Sequence, residues 1–394
     1  MILGSQRLSI SLYSVILLFG GCQEFQSTNQ RILQIENGLL TSWKDPFWRR
    51  MKLSERMRHY NVPGVSIAVI NNFQLEWAKG YGVLQAGSND PVTPSTLFQT
   101  GSIGKPVVAA AALHFVQTGK LDLDENVNRK LSSWQIPANS FTARSDVTLR
   151  RLLSHTAGVT LPGVIGYAQG ETLPTLHQML GGDPPANTPP IHVDRVPGTQ
   201  FHYSGGGYLI VEQLLVDLSG PGKTFPEIIH EVIFQPCGMT VSVFDPLPEE
   251  LWDHAAAGHR AEGSPIPGGW FVYPEMGMGP FWTTPTDMAR FVIETMLAYN
   301  GRSDQILSRN MVRTMLSPQI GTQGLGFGLG DDGADRFYFF HKGANEGYRT
   351  MLIAYPKRGQ GAIIMTNSDN GDLLVEEIVK SLSVTYGWVS GIRL

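Results

Sequence analysis

Apolar and polar positions along the chain change rhythm twice. Val65 to Ile70 is a β-rich apolar run, and Phe73 to Gly82 alternates apolar with polar residues. Asn71-Asn72 between them is a turn pair that tolerates positive φ, so the two segments are predicted to form a hairpin. Three short strands at meander spacing are predicted near the other end, over Phe337 to His341, Tyr348 to Tyr355 and Gly361 to Thr366. From about Leu97 to Leu325 the signals are mostly helical, separated by long Gly/Pro loops. Val108 to Phe115 and Gly207 to Leu218 are the clearest helices. Thr284-Pro285-Thr286-Asp287 opens another, with a threonine cap, proline at the first helical position and aspartate in the first turn. Ile35 to Tyr60 reads as helix up to Asn61-Val62-Pro63-Gly64, and Asp372 to Tyr386 as a closing amphipathic helix.

Strands at both ends and helices between predict an α+β fold. One antiparallel sheet is completed by the two chain termini, and the large, mostly helical region is an insertion into it. A site in such a fold lies between the sheet and the inserted helices. The chain has 394 residues, 42% of them hydrophobic, enough for a large core. Net charge is −4, only 16% of residues are charged, and no basic block appears, which argues against a nucleic-acid partner. Two cysteines, Cys22 and Cys237, do not support a disulfide framework.

The N-terminus reads as an export signal. Arg7 supplies a small positive region, and Leu8 to Phe19 is mostly apolar but shorter than the roughly 20 residues of a bilayer span. Leu18-Phe19-Gly20-Gly21-Cys22 resembles a bacterial lipoprotein box, in which the cysteine is lipidated after cleavage. The organisation expected is a signal peptide over 1–22 with a lipobox, a polar tether over 23–34 and one folded domain over 35–388. Cys22 would give the protein a membrane anchor.

The chemistry is concentrated at Ser102-Ile103-Gly104-Lys105. Residues three apart share a helix face, which brings the Lys105 amine back to the Ser102 hydroxyl. Serine is a weak nucleophile without an adjacent base. A lysine serves as that base when its pKa falls, and burial lowers it by about 3–5 units. Pro106 is tolerated only in the first turn of a helix, so the helix starts very near Ser102. The nucleophile then sits at the positive end of the helix dipole.

Three further segments make this pattern specific. Gly198-Thr199-Gln200-Phe201-His202-Tyr203-Ser204-Gly205 places a tyrosine in a Gly-rich loop before a helix. His341-Lys342-Gly343-Ala344 ends a predicted strand. Leu152-Leu153-Ser154-His155-Thr156-Ala157-Gly158 is a helix end and tight loop. With these the chain resembles the serine β-lactamase and penicillin-binding-protein superfamily, most closely class C β-lactamases with their esterase and DD-peptidase relatives. Val62-Pro63-Gly64-Val65, Thr96-Leu97-Phe98 and Gly119-Lys120-Leu121-Asp122 match as well, and the resemblance runs from about Ile35 to Trp388.

The resemblance implies that Ser102 is the acylated nucleophile and that Lys105 holds and helps deprotonate it. Tyr203, matching the tyrosine of the Y-x-N element, would share the base role and protonate the leaving group. His341-Lys342-Gly343 falls at the K-T-G element, whose strand edge binds substrate. The backbone N–H groups of Ser102 and Ala344 would form the oxyanion hole. No cofactor is implied, and the elements of the class A route are missing.

Two positions depart from the pattern. Gly205 stands where the Y-x-N asparagine would bind the amide side chain of β-lactams, and His341 replaces the K-T-G lysine that faces a substrate carboxylate. Both changes fit an exported carboxylesterase-like hydrolase of ester or amide substrates better than an efficient cephalosporinase. A β-lactamase or D-Ala-D-Ala carboxypeptidase is the alternative, and a weakly catalytic protein that binds cell-wall peptides or lipids is a further one. A positive φ at Gly205 would forbid restoring the asparagine. No metal site is expected from the ten histidines. His155 is read as loop-ordering, His202 as structural and Cys237 as a buried thiol. The run Trp270 to Trp282 fits pocket lining and core packing equally.

Overall fold

The computed structural model describes residues 26–42, 50–331 and 336–388; the export segment and Cys22 lie outside them. Strands β1 (Gly64–Asn71) and β2 (Gln74–Gly82) form the expected hairpin. Its turn residues Asn72 and Phe73 both have positive φ, 53° and 62°, as a two-residue turn matched to strand twist requires. Two short strands missed in the sequence, β3 (Phe98–Gln99) and β4 (Trp282–Thr283), pair as a separate ribbon. Strands β5 (Gly328–Gly330), β6 (Tyr338–Asn345), β7 (Tyr348–Tyr355) and β8 (Gln360–Thr366) join the hairpin in one antiparallel sheet of order β2-β1-β8-β7-β6-β5. The first hairpin thus meets the last strand in register, Val65 opposite Thr366 and Ile70 opposite Gly361. The two ends of the domain complete one sheet, as predicted, and β5 is an added edge strand with too few side chains to have been read.

The helices are α1 (Thr28–Asn37), α2 (Leu53–His59), α3 (Lys105–Gln117), α4 (Leu149–Leu153), α5 (Leu176–Gly181), α6 (Gly206–Ser219), α7 (Phe225–Ile229), α8 (Gln235–Cys237), α9 (Pro285–Tyr299), α10 (Arg309–Met315) and α11 (Gly371–Thr385). The expectation of a tether over 23–34 fails from Thr28 onward. Ser27 accepts from the Gln30 N–H while the Gln30 side chain accepts from the Ser27 N–H, a reciprocal cap that starts α1. The helix expected over Ile35 to Tyr60 is divided, because α1 stops at Asn37 and Leu39 bridges to Met51 before α2 begins.

Successive side chains of a strand point to opposite faces, and here both faces are covered. Val65, Ile67 and Val69 of β1 join Ile353 and Ile364 in one core beneath α1, α2 and α11. Ala68, Ile70, Leu352 and Ile363 face the second core with the helical layer. This is why β1 and β8 read as near-continuous apolar runs. At the centre of the helical layer is α3, whose residues from Lys105 to Leu113 are all buried. A helix apolar all round is a core helix, and each Val or Leu it buries is worth about 1.5–3 kcal/mol. The candidate pair Ser102 and Lys105 sits at the N-terminus of this helix.

Candidate active site

Ser102 lies in the 3-10 turn Gly101–Gly104 that leads directly into α3. The turn is fastened on two sides. Thr100 Oγ1 accepts from the Phe281 N–H at 2.8 Å, and Thr350 Oγ1 of β7 donates to the Thr100 carbonyl at 2.6 Å. Gly101 has φ 52°, and a Cβ there would stand 2.7 Å from the Ala344 nitrogen. The nucleophile turn is therefore pressed against the end of β6, and only glycine permits that approach.

Lys105 is buried, at 2% exposure. Its Nζ donates to Ser102 Oγ at 3.0 Å and to the Met278 carbonyl at 2.5 Å. Its ammonium stands 5.2 Å from the Tyr203 ring centre and 5.6 Å from that of Tyr208, within reach of cation–π attraction. The S-x-x-K spacing thus delivers the contact expected of it. Tyr203 makes no hydrogen bond to either residue; its ring stacks on His155, with centres 4.3 Å apart and planes at 30°.

His341 faces this cluster from β6, 6.5 Å ring to ring from Tyr203. Burial, reinforced by the Lys105 ammonium, pushes its pKa down to about 3. Its Nδ1 lies 2.6 Å from the Lys342 carbonyl. A carbonyl only accepts, so Nδ1 carries the proton and Nε2 is a bare acceptor. The position of the family's cation is therefore neutral here. Lys342 was expected at the substrate edge, but strand alternation turns its side chain to the opposite face, 3.8 Å from Glu376 of α11. Gly343 packs on the nucleophile turn: a Cβ there would lie 2.2 Å from the Thr100 carbonyl oxygen.

Gly205 has φ −69° and ψ −37°. The backbone there is right-handed helical, so it does not by itself forbid an asparagine. What fills the space beside it is Met278, whose Cε would lie 1.8 Å from a Cβ at position 205. The Trp270 to Trp282 run is mainly core, with Trp270, Tyr273, Phe281 and Trp282 buried. It also serves the site, because its Met278 supplies both the lysine's carbonyl and this thioether. The signal was the glycine at 279, which takes φ 106° and lets the chain pass beside Gly104. His259 is buried between the Ala86 N–H and the Asn367 carbonyl, a structural role. Burial raises the Cys237 thiol pKa, so it is a poor nucleophile.

Behind the Met278 loop lie three buried carboxyls. Glu212 accepts from the Gly277 N–H at 2.5 Å, and burial lifts its pKa to about 8. Burial lifts Glu275 to about 7 and Asp245 to about 6. A carboxyl held protonated in the fold, but ordinary at 4.5 when unfolded, favours the native state less and less as pH rises between those values. Glu212→Gln is expected to match the parent near pH 4.5 and to exceed it in stability by several kcal/mol at about pH 8–9. Chemical denaturation at both pH values checks this, and equal differences at the two would refute the buried acid.

Residues 50–380 match the family model described as Beta-lactamase. Penicillin-binding protein 4 of Amycolatopsis lactamdurans is 27% identical over 369 residues, covering 88% of this chain and 91% of that protein. Among solved structures, the octameric penicillin-binding protein homologue from Pyrococcus abyssi superposes with a TM-score of 0.69 at 23% identity, covering 86% of this chain and 76% of its own. The D-amino acid amidase from Ochrobactrum anthropi SV3 gives 0.68 at 20% identity, covering 91% and 99%. The α+β architecture read from the strand and helix pattern is the fold of these proteins. With the match spanning most of its length, the chain belongs to the beta-lactamase family, within the serine β-lactamase and penicillin-binding-protein superfamily of hydrolases.

Proposed function

We propose that this protein is an exported serine hydrolase that works through an acyl-enzyme on uncharged esters or amides. The observation that carries the reading is the 3.0 Å contact between the buried Lys105 amine and Ser102 Oγ. In the proposed first half-reaction, Ser102 Oγ attacks the substrate carbonyl and its proton passes to the Lys105–Tyr203 pair. The carbonyl oxygen, now an oxyanion, is held by the N–H groups of Ser102 and Ala344. As the C–O or C–N bond breaks, the pair returns the proton to the departing alcohol or amine. Water then repeats the sequence on the acyl-serine, releasing the acid and restoring Ser102. Export through residues 1–22, and a lipid anchor on Cys22, belong to the same proposal; Cys22→Ser should release the protein from membranes.

The preference for uncharged substrates is supported by the electrostatics. His341 is neutral, and Lys105 is already engaged by Ser102 and Met278, so neither of these two described residues offers a free cation to a substrate carboxylate. At the Gly205 position the thioether of Met278 stands where an asparagine amide would project. Phe201, 48% exposed, stands edge-on to His155 and adds an apolar surface next to the ring that stacks on Tyr203. An amide substrate remains the second reading, favoured by similarity to a penicillin-binding protein and an amidase.

A hydrogen bond to a charged group contributes about 1.5–3 kcal/mol, and about 1.4 kcal/mol is tenfold. A site without the asparagine and the lysine should therefore turn over a cephalosporin roughly two to four orders of magnitude more slowly than a family member that has both. Short nitrophenyl esters need neither contact. The comparison is kcat/KM for a cephalosporin and for an ester on the unmodified protein. A higher cephalosporin value would overturn the ester preference. Gly205→Asn alone is expected to damage both activities by colliding with Met278. Gly205→Asn with Met278→Ala and His341→Lys should move the ratio toward the cephalosporin.

A further inference from the structure

His155 is a buried residue that the proposed chemistry leaves without a role, and its geometry is unusual in four respects. It directly follows the cap of α4 with φ 56°, a left-handed conformation that non-glycine residues adopt only when the surroundings enforce it. Its carbonyl accepts from the His202 N–H at 2.7 Å, and its Nδ1 accepts from the Ser204 N–H at 3.1 Å. These are the two neighbours of Tyr203. The imidazole plane then stacks on the Tyr203 ring itself. Finally, its Nε2 is buried with no hydrogen-bond partner.

The tautomer follows. A backbone N–H only donates, so Nδ1 is bare and Nε2 carries the proton. Burial and the nearby Lys105 ammonium hold the ring neutral by pushing its pKa well below 6.5. Tyr203 and Tyr208 face it as well, with the Tyr208 ring 5.2 Å away. A residue kept only to fill this space would be phenylalanine, which strands no donor. Asparagine tolerates the backbone and accepts from Ser204, but has no ring to stack. Histidine alone supplies a bracket for the loop, a platform for the tyrosine and no charge beside Lys105.

We propose that His155 is the positioning residue for Tyr203, holding its ring beside Lys105 by gripping the backbone on either side of it and the ring face between. It acts only through Tyr203, so the proposal rests on the reading of Tyr203 as a proton-transfer group. Misplacement of a reacting group by about 1 Å costs roughly 100-fold in rate.

The test is a double-mutant cycle with a nitrophenyl ester. His155→Phe keeps a ring but loses the Ser204 acceptor; His155→Asn keeps the acceptor and tolerates the backbone but loses the stack. Each is expected to lower kcat about 10–100-fold with KM within about threefold, and to displace the pH–rate limb that disappears in Tyr203→Phe. In a Tyr203→Phe background, neither should lower kcat further. Thermal melting and stoichiometric fluorophosphonate labelling verify that each variant is folded with an accessible Ser102. Multiplicative losses in the double mutants would overturn the proposal, as would parental kcat in both single variants. If Tyr203→Phe itself keeps the parental rate and pH profile, the role of Tyr203 fails and this proposal with it, while labelling of Ser102 would still stand.

Discussion

Ser102→Ala is expected to abolish both labelling by fluorophosphonates and ester turnover, with a loss of roughly four to six orders of magnitude in kcat. The size follows from what the hydroxyl does. In the proposed reaction it is the atom to which the acyl group is transferred, and alanine leaves no nucleophilic atom at that position. Stability should change little. Ser102 sits in a turn whose fastening comes from Thr100 and Thr350, and alanine leaves those hydrogen bonds intact. Lys105 loses one of its two hydrogen bonds and keeps the Met278 carbonyl. Turnover at the parental rate in a folded Ser102→Ala protein would remove Ser102 from the reaction.

The second large effect is expected at Gly343, a residue with no side chain to contribute chemistry. A Cβ there would lie 2.2 Å from the Thr100 oxygen, 2.1 Å from Thr350 Oγ1 and 3.0 Å from the Ile103 nitrogen. Two of those three atoms are backbone, so β6 or the nucleophile turn must move. Either movement would displace the Ala344 N–H, which we propose completes the oxyanion hole with Ser102. Gly343→Ala should lower kcat/KM by about 100- to 1,000-fold, the cost of one oxyanion donor. Overpacking should also destabilise the protein by about 1–3 kcal/mol. Thr350→Val separates the causes: it removes the 2.6 Å hydrogen bond to Thr100 without inserting an atom between the two elements, and should cost stability with a smaller loss of rate. Activity within about threefold of the parent in Gly343→Ala would mean that β6 does not complete an oxyanion hole.

Much of this arrangement is legible in the sequence. The hairpin, the three C-terminal strands and α3, α6, α9 and α11 followed from apolar periodicity and cap residues, because their buried faces are continuous in sequence. Ser102 and Lys105 were legible as a pair because both lie within one turn of chain. What the sequence hid depends on tertiary approach. Met278 reaches Lys105 across a separation of 173 residues, and its contact is a backbone carbonyl, which any residue could provide. The strands β3 and β4 are two residues each, too short for a period to register. The α1 start was misjudged because a polar stretch was read as solvated chain, when Ser27 and Gln30 form a reciprocal cap. Lys342 was grouped with His341 by motif, although alternation along β6 sends the two side chains to opposite faces. His155 looked like a loop residue, and its tie to both neighbours of Tyr203 appears only once residues 49 apart are brought together.

The central claim is that the acyl group is carried on Ser102. It is tested most directly by treating the purified protein with a fluorophosphonate and mapping the adduct by peptide mass spectrometry. Lys105 is followed by proline, so trypsin should leave Ser102 within the peptide that begins at Gly80. A single adduct on that peptide, located at Ser102 and lost together with ester turnover in Ser102→Ala, is the predicted result. An adduct on any other residue, or ester turnover that continues in protein left unlabelled by the reagent, would contradict it.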